Sequence, residues 1–302
     1  MTAPRPPRAV AVAVLLGLVS FGGSPLLIRY AGDTPALAIA AWRTILVAGL
    51  MLPVVVATRR DEIRRLPARE WGLAVTAGVF LGVHFVSWIQ SVQLTSVASS
   101  SVLVALSPVF IAILGAVFLR EVPQRRTWIA IGVAVFGAVL IGWGESGPRE
   151  TALPNPALGN GLAVLAALLV SVYLLIGRSV RQRTSVLTYF AILNAVAALT
   201  TLSICLVLGV ELGLTPAVFG ICLAMALGPG LLGHGSFNLA LAYYPAAFLG
   251  LLTLSEPVIA SIGALVLFRE VPSPLTVAGG VLVLVAIGTV VGARSTDAAS
   301  DA

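Results

Sequence analysis

The sequence has no lysine, only two histidines, only two cysteines and few charged residues of any kind. Charged residues make up 10% of the 302 residues, whereas a soluble domain carries about 25%. Hydrophobic residues make up 59%, and the mean hydropathy is +1.05. Too few polar side chains are present to cover a surface that faces water. The composition therefore excludes a soluble protein and favours one embedded in a lipid bilayer.

Several catalytic and nucleotide-binding motifs are also missing. The sequence has no HExxH zinc motif, no GxSxG nucleophile motif, no acidic cluster for Mg²⁺ and no GxxxxGK[ST] phosphate-binding loop. Cys205 and Cys222 lie in apolar stretches without the spacing of metal ligands. We therefore expect neither an enzyme nor an ATP-driven pump, and no metal or other cofactor.

Apolar runs long enough to cross a bilayer recur along the chain. About 20 residues of α-helix span roughly 30 Å of hydrocarbon. Ten runs meet this requirement, the fifth only marginally: 9–29, 35–57, 71–92, 95–119, 127–143, 157–177, 187–208, 217–241, 245–268 and 274–292. A polar stretch from Gly144 to Pro156 divides them into five and five. We predict an all-α membrane protein with ten transmembrane helices.

A sequence pattern that occurs twice indicates an internal repeat. The run Arg-Glu-Val-Pro at 120–123 recurs at 269–272, and Ser107-Pro is matched by Glu256-Pro at the same offset of 149 residues. Because each unit has five spans, an odd number, the second unit is inverted relative to the first, as in many secondary transporters. The predicted order is a first unit at 1–147, a linker at 148–156, a second unit at 157–293 and a tail at 294–302.

The arginines predict the orientation of the chain. If both termini are cytoplasmic, three arginines lie outside (Arg29, Arg149 and Arg269), and Arg43 lies within the second run. Fourteen lie inside: Arg5, Arg8, Arg59, Arg60, Arg64, Arg65, Arg69, Arg120, Arg125, Arg126, Arg178, Arg181, Arg183 and Arg294. Such a bias marks cytoplasmic loops, so we expect a bacterial plasma (inner) membrane protein. The net charge of +6 thus encodes topology, and no nucleic-acid partner is expected.

Three stretches of the sequence carry a family resemblance. They are Ala41-Trp42-Arg43, Ser107-Pro108 leading to Leu119-Arg120-Glu121, and Leu254-Ser255-Glu256-Pro257 leading to Phe268-Arg269-Glu270. With these stretches the chain resembles the EamA-type branch of the drug/metabolite transporter superfamily. The resemblance implies a central cavity between the two halves, alternating access and export that is often coupled to protons. It does not name the substrate, since related proteins move amino acids, nucleosides, vitamins and other metabolites.

Four ionisable residues lie inside apolar runs, namely Arg43, His84, His234 and Glu256. A charge at mid-bilayer costs about 2.5–3.5 kcal/mol on insertion scales, so each residue needs a reason. Glu256 precedes a proline, which lacks an N–H and leaves the carbonyl of Thr253 without its helical partner. One interpretation is a carboxylate that couples transport to protons or binds a substrate amine. The other is a structural glutamate, hydrogen-bonded to a neighbouring helix or paired with Arg43.

The two histidines each begin a polar stripe at helical spacing. His84 continues to Trp88 and Ser91, and His234 continues to Asn238. The histidines are 150 residues apart, one residue off the repeat offset. They either line the cavity, where they bind substrate or sense pH, or form hydrogen bonds between helices. Glycines and a proline around His234 predict a bent span.

Arg43 also has two interpretations, because its stem can extend to the outer interface or its guanidinium can bind a substrate carboxylate with two hydrogen bonds. We expect spans three, four, eight and nine to line the cavity, with Glu256 as the candidate for proton coupling. The predicted cavity residues are His84, Trp88, Ser91, His234, Asn238, Thr253, Glu256 and Arg43.

The sequence therefore predicts a secondary active transporter that exports small metabolites. The expected partners are the lipid bilayer, a small-molecule substrate and protons as a candidate coupling ion. An uncoupled facilitator or channel, or a lipid-translocating protein, is the alternative. Ten helices can close a cavity alone, so we expect a monomer, with a weak homodimer as the alternative.

Overall fold

The computed structural model describes residues 7–95, 97–145, 155–269 and 271–300. Within these ranges the chain forms helices and no strand, and ten helical spans are long and apolar enough to cross a membrane. The predicted number of spans is confirmed, and the fifth, Arg125–Gly144, has 20 residues. The linker expected at 148–156 lies outside the described residues up to position 154, as do Arg5, Arg149 and Glu270. The backbone of the expected tail is helical as far as Ser300.

Seven spans are single helices, and three consist of shorter helical pieces. The single helices are α1 (Arg8–Tyr30), α2 (Ala36–Thr58), α3 (Ala68–Leu94), α5 (Arg125–Glu145), α6 (Pro156–Val180), α7 (Val186–Val207) and α10 (Pro274–Ser300). The composite spans are α4 (Val97–Val104, Ser107–Leu114 and Gly115–Leu119), α8 (Pro216–Met225, Ala226–His234 and Gly235–Ala240) and α9 (Ala246–Thr253 and Glu256–Phe268). A short helix, Arg60–Arg65, joins α2 to α3.

Local sequence explains where several helices begin. Asn155, Ser185 and Thr215 precede α6, α7 and α8, and each side chain accepts a hydrogen bond from the backbone N–H three residues further on. This satisfies one of the N–H groups that a helix start leaves unpaired. Elsewhere, proline occupies the position before α1, α2, α3 and α9.

The packing of the helices shows the repeat as a pseudo-twofold arrangement. The first unit contains α1–α5, and the second contains α6–α10. In the first unit, α3 packs on α6 and α7 of the second unit. Its equivalent in the second unit, α8, packs on α1 and α2 of the first. Where α4 packs on α6, the equivalent α9 packs on α1. Other major contacts join equivalent helices to each other, α2 to α7, α4 to α9 and α5 to α10. Two five-helix units related in this way form an inverted repeat.

Matching irregularities occur in α4 and α9. Each span is interrupted by a two-residue turn, at 105–106 in α4 and at 254–255 in α9. Each ends in an arginine with φ of 57°, Arg120 and Arg269, and these are the two non-glycine residues with positive φ in the described ranges. A left-handed conformation costs a non-glycine residue roughly 1–2 kcal/mol. Both pairs of positions are 149 residues apart, so the sequence repeat is also a structural one.

The equivalent spans α3 and α8 differ in regularity. α3 is one continuous helix of 27 residues. α8 contains a nine-residue π-helical stretch, Ala226–His234, with Pro229 inside it. The expected irregularity around His234 is therefore present in the form of a π-helix, a conformation that is frequent at functional sites.

One end of the bundle carries most of the arginines. We call it the basic end: it is where α2, α4, α6 and α8 end and α3, α5, α7 and α9 begin. Across it the carboxylate of Glu62 accepts hydrogen bonds from the Ser185 backbone N–H (2.8 Å), the Ser185 hydroxyl (2.6 Å) and the Thr188 hydroxyl (2.8 Å). Arg178 forms an ion pair of 2.8 Å with Glu121. The first unit is thus tied to the second at this end.

Candidate functional site

Side chains from six helices meet in the interior of the bundle, between the two units. They come from α1, α2, α3, α6, α8 and α9. We call them the central cluster: Phe21, Arg43, His84, Phe85, Tyr173, His234 and Glu256.

The Phe85 ring lies at the middle of the central cluster. The Arg43 guanidinium lies over its face, 4.2 Å from the ring centroid, and the His234 ring meets it edge-on at 5.3 Å. Arg43 is only 3% exposed, and a desolvated cation–π contact contributes about 2 kcal/mol. Arg43 therefore points into the bundle, and the interpretation in which it extends to the outer interface does not describe this structure.

Glu256 is the first residue after the interruption of α9. Its carboxylate lies within electrostatic range of Arg43 and of Tyr173. However, the ion pairs that join described residues are elsewhere, and Glu256 and Arg43 are not paired within 4 Å. Glu256 is also partly accessible, although it lies at mid-span. The carboxylate thus keeps acceptor positions for a proton or a ligand.

Both histidines bind to α6 through Nδ1. His84 Nδ1 lies 2.8 Å from the Ala166 carbonyl oxygen, and His234 Nδ1 lies 2.9 Å from the Tyr173 hydroxyl. Because a carbonyl oxygen only accepts hydrogen bonds, His84 Nδ1 must carry a proton and donate it. The other ring nitrogen, Nε2, takes no part in this hydrogen bond. The hydrogen bonds between helices that we considered are therefore present for both residues. Their contact with substrate stays a prediction.

The other predicted residues lie at varying distances from the central cluster. Asn238 is fully buried one turn beyond His234, and its amide donates to the His234 carbonyl at 2.7 Å. Ser91 is bound away from the cluster, to the Trp88 carbonyl at 2.7 Å and the Ser100 hydroxyl at 2.6 Å. Trp88 packs half-buried against the core.

Thr253 donates to the Gly250 carbonyl, in the preceding turn of α9, at 2.7 Å. The structure thus brings Arg43, His84, His234 and Glu256 together, whereas Ser91 and Thr253 form hydrogen bonds with partners outside the central cluster.

Sequence reasoning missed the aromatic members and the part played by α6. Phe21, Phe85 and Tyr173 were not expected in the site, and α6 was not among the predicted lining spans. Tyr173 had a usable signal, because its buried hydroxyl in a mainly aliphatic run needs a hydrogen-bond partner. Phe85 had only its position next to His84.

The basic end holds further charges outside the central cluster. A cavity of about 330 Å³ opens there between α3, α4 and α6, and it is lined by Arg69, Leu119, Glu121, Arg178, Ser179, Gln182 and Arg183. Burial alone would raise the pKa of Glu62, but the hydrogen bonds from Ser185 and Thr188 outweigh burial and lower it. Glu62 therefore holds the start of α7 as an ionised carboxylate.

Known proteins resemble this chain in sequence and in fold. The sequence profile of the EamA-like transporter family matches residues 8–143 and 157–292, one match for each five-helix unit. An uncharacterized transporter in the cobO 3' region of Sinorhizobium sp. is 26% identical over 100 residues, which are 33% of this chain and 71% of that protein. A solved crystal structure shares the fold, with a TM-score of 0.78 over 93% of this chain and 96% of that one at 15% identity. This chain therefore belongs to the EamA-like transporter family of the drug/metabolite transporter superfamily, and it is a multi-pass membrane transporter of small solutes.

Proposed function

We propose that this protein is a secondary active transporter that exports small organic solutes by alternating access, with protons as the coupling ion. One observation carries the proposal. Arg43 and Glu256 lie in the bundle interior within electrostatic range of each other, yet not as an ion pair. A purely structural pair would neutralise both charges at short distance, because unpaired charges inside a membrane are costly. Neither charge is therefore neutralised by the other in this structure, as expected of groups that bind a ligand or a proton during transport.

The same two groups suggest the class of solute. A guanidinium binds a carboxylate with two parallel hydrogen bonds, and a carboxylate binds an ammonium group or a proton. A solute that carries both an amine and a carboxylate, such as an amino acid, matches this arrangement. Because a proton and an amine compete for Glu256, protonation from one side of the membrane would release the solute.

Alternating access requires the ends of the bundle to open in turn. At the basic end, the Arg178–Glu121 ion pair and the hydrogen bonds to Glu62 hold the two units together. At the opposite end, Arg29 lies 4.2 Å over the Phe268 ring, and the Trp42 indole donates to the Leu212 carbonyl at 2.8 Å. The interruptions of α4 and α9 and the π-helix of α8 are suitable points of bending. We place the basic end, and both termini, in the cytoplasm of a bacterium, as the arginine bias indicates.

The test is uptake by purified protein in vesicles of phosphatidylethanolamine and phosphatidylglycerol. A panel of radiolabelled amino acids, nucleosides and vitamins is offered with and without an imposed pH gradient. We expect at least one amino acid to accumulate only with the gradient. Glu256→Gln should abolish this accumulation and keep exchange of the same amino acid between the two sides of the vesicle. Ser255→Ala is a neighbouring change that removes a hydroxyl bonded to the Leu252 carbonyl of the same span, and it should behave like the wild type.

Other outcomes would contradict the proposal. Full gradient-driven accumulation by Glu256→Gln removes Glu256 from coupling. Equal flux in both directions, independent of pH, indicates an uncoupled facilitator. Covalent conversion of a panel compound indicates an enzyme.

A further inference from the structure

A row of polar groups, buried except at its partly exposed outer end, leads from the central cluster to the basic end, between α6, α7 and α8. We call it the polar ladder, and its members are Tyr173, Asn238, Tyr189, Thr184 and Arg181. Tyr173 belongs to the central cluster and Asn238 is a predicted cavity residue, whereas Tyr189, Thr184 and Arg181 have no part in the proposed binding of solute.

Helical spacing aligns the ladder. On α6 and just beyond its end, Tyr173, Gly177 and Arg181 are four residues apart, so they lie on one face in successive turns. On α8, Asn238 lies one turn beyond His234. The first step of the ladder is the hydrogen bond of 2.9 Å between the Tyr173 hydroxyl and His234 Nδ1. The ladder therefore begins at a member of the central cluster.

The middle step contains two oxygen atoms without partners. A Cβ at Gly177 would lie 2.9 Å from Leu241 Cδ1, 3.1 Å from the Tyr189 hydroxyl and 3.5 Å from Asn238 Oδ1, so both oxygens lie beside Gly177. Tyr189 and Asn238 are each 0% exposed, and neither oxygen has a hydrogen-bond partner among the residues that the structure describes. Leaving such an atom unsatisfied costs about 1–3 kcal/mol. A hydroxyl donor beside an amide acceptor is the combination that one or two buried water molecules bridge.

Arg181 and Thr184 form the outer part of the ladder, next to the surface of the basic end. Arg181 Nε donates to the Asn238 carbonyl at 3.0 Å, and another guanidinium nitrogen donates to the Thr184 carbonyl. The Thr184 hydroxyl is a third buried oxygen without a partner within the described ranges. Next along the chain, Ser185 donates to the Glu62 carboxylate, which lies within electrostatic range of Arg181. The positive charge of Arg181 and the negative charge of Glu62 therefore offset each other at the outer end of the ladder.

We propose that the polar ladder is a path for protons between the central cluster and the basic end, through the hydroxyl groups of Tyr173 and Tyr189 and water bound between Tyr189 and Asn238. The proposal rests on the proposed function, because it needs Glu256 as the proton's destination. Each hydroxyl or water accepts a proton from one neighbour as it donates its own to the next, and the Tyr173 hydroxyl passes its proton to His234 Nδ1. Only O–H and N–H bonds form and break, and the Arg181 guanidinium keeps its protons throughout. The charged or titratable groups that face the ladder are Arg43, His84, His234 and Glu256 at the inner end, and Arg181, Tyr243 and Glu62 at the outer end.

The experiment follows protonation of Glu256 without any solute. Proteoliposomes of phosphatidylethanolamine and phosphatidylglycerol, with the basic end facing outward, receive a rapid drop of external pH. The infrared C=O band of the protonated carboxyl, identified by its loss in Glu256→Gln, is followed with time. We expect Tyr189→Phe and Tyr173→Phe to slow the appearance of the band by at least about tenfold, since proton transfer needs groups within hydrogen-bond reach. The final amplitude should change far less than the rate.

The control is Tyr30→Phe, which loses a hydroxyl at the far end of α1 and should protonate at the wild-type rate. Asn238→Leu provides a second variant of the ladder if a tyrosine variant does not fold. Wild-type rates in Tyr189→Phe, Tyr173→Phe and Asn238→Leu would overturn the ladder and leave the proposed function intact. A wild-type protein without any titrating Glu256 band would instead contradict the proposed proton coupling itself.

Discussion

The polar ladder of the second unit and the equivalent region of the first unit differ in polarity. With the offset of 150 residues that relates the two histidines, each position of the ladder has a counterpart in the first unit. The counterparts of Tyr173, Arg181, Thr184, Tyr189 and Asn238 are, in that order, Gly23, Ala31, Thr34, Ile39 and Trp88. Ala31 and Ile39 are buried among apolar side chains, so the row of polar groups is interrupted in the first unit.

This contrast shows how an inverted repeat can treat the two sides of a membrane differently. The two units share their helix order, their packing and the interruptions of α4 and α9, so the scaffold is nearly symmetric. The chemistry is not symmetric, because Glu256 is matched by Ser107 and most of the polar ladder is matched by residues without hydroxyl, amide or charged groups. If protons reach Glu256 through the ladder, they reach it from the basic end. Substitutions that change one side of this contrast at a time can test it.

The largest effect is expected from placing a polar group in the apolar region. Ile39 is 1% exposed and packs near Cys222 and Met225. Ile39→Asn should lower the free energy of unfolding by about 3 kcal/mol, because it removes apolar contacts and buries an amide without a designed partner. Denaturant titration in detergent micelles measures the change. Ile39→Val is the matched control and should cost about 1 kcal/mol; equal losses in the two variants would show that the first unit tolerates polarity as the second does.

A smaller effect on stability is expected from the reverse change in the ladder. Asn238→Leu loses the hydrogen bond to the His234 carbonyl but also removes the unpartnered Oδ1. These changes oppose each other, so the free energy of unfolding should shift by less than about 1 kcal/mol. The same titration measures it. A loss as large as that of Ile39→Asn would mean that Oδ1 is held by a fixed protein group in the folded protein rather than by exchangeable water, which would count against a water-filled ladder.

The smallest effect on stability is expected at Glu62, near the outer end of the ladder, and it depends on pH. The pKa of Glu62 is lowered in the folded protein, so its stabilising contribution is full above the ordinary glutamate pKa of about 4.3 and is lost as the pH falls below it. Glu62→Gln should therefore be less stable than the wild type at neutral pH, with a difference that shrinks as the pH falls through this range. Thermal melts across pH measure the difference. A gap that stays constant with pH would contradict the role of the ionised carboxylate.

Much of the scaffold could be predicted from the sequence. Hydropathy locates all ten spans, and the repeated Arg-Glu-Val-Pro run identifies the two units, because both signals are local in the chain. The cost of charge in a membrane also identified Arg43, His84, His234 and Glu256, which the structure brings together.

The contacts of the site were less predictable, since they depend on how each helix is rotated against its neighbours. Phe85 is one of several aromatic residues in apolar runs, and nothing in its local sequence shows that Arg43 lies over its ring. Similarly, Ser91 follows His84 at helical spacing but turns to Ser100 on α4. Periodicity predicts which residues share a face, whereas tertiary packing decides what that face meets.

The most direct test of the contrast between the units compares the two sides of the membrane in the wild-type protein. The pH is dropped either at the basic end or at the opposite end, in vesicles of the two orientations, and the rise of the Glu256 carboxyl band is timed. We expect the band to rise faster when protons are supplied at the basic end, because the polar ladder opens there. Equal rates from both sides, or a faster rise from the opposite end, would contradict a proton path through the second unit.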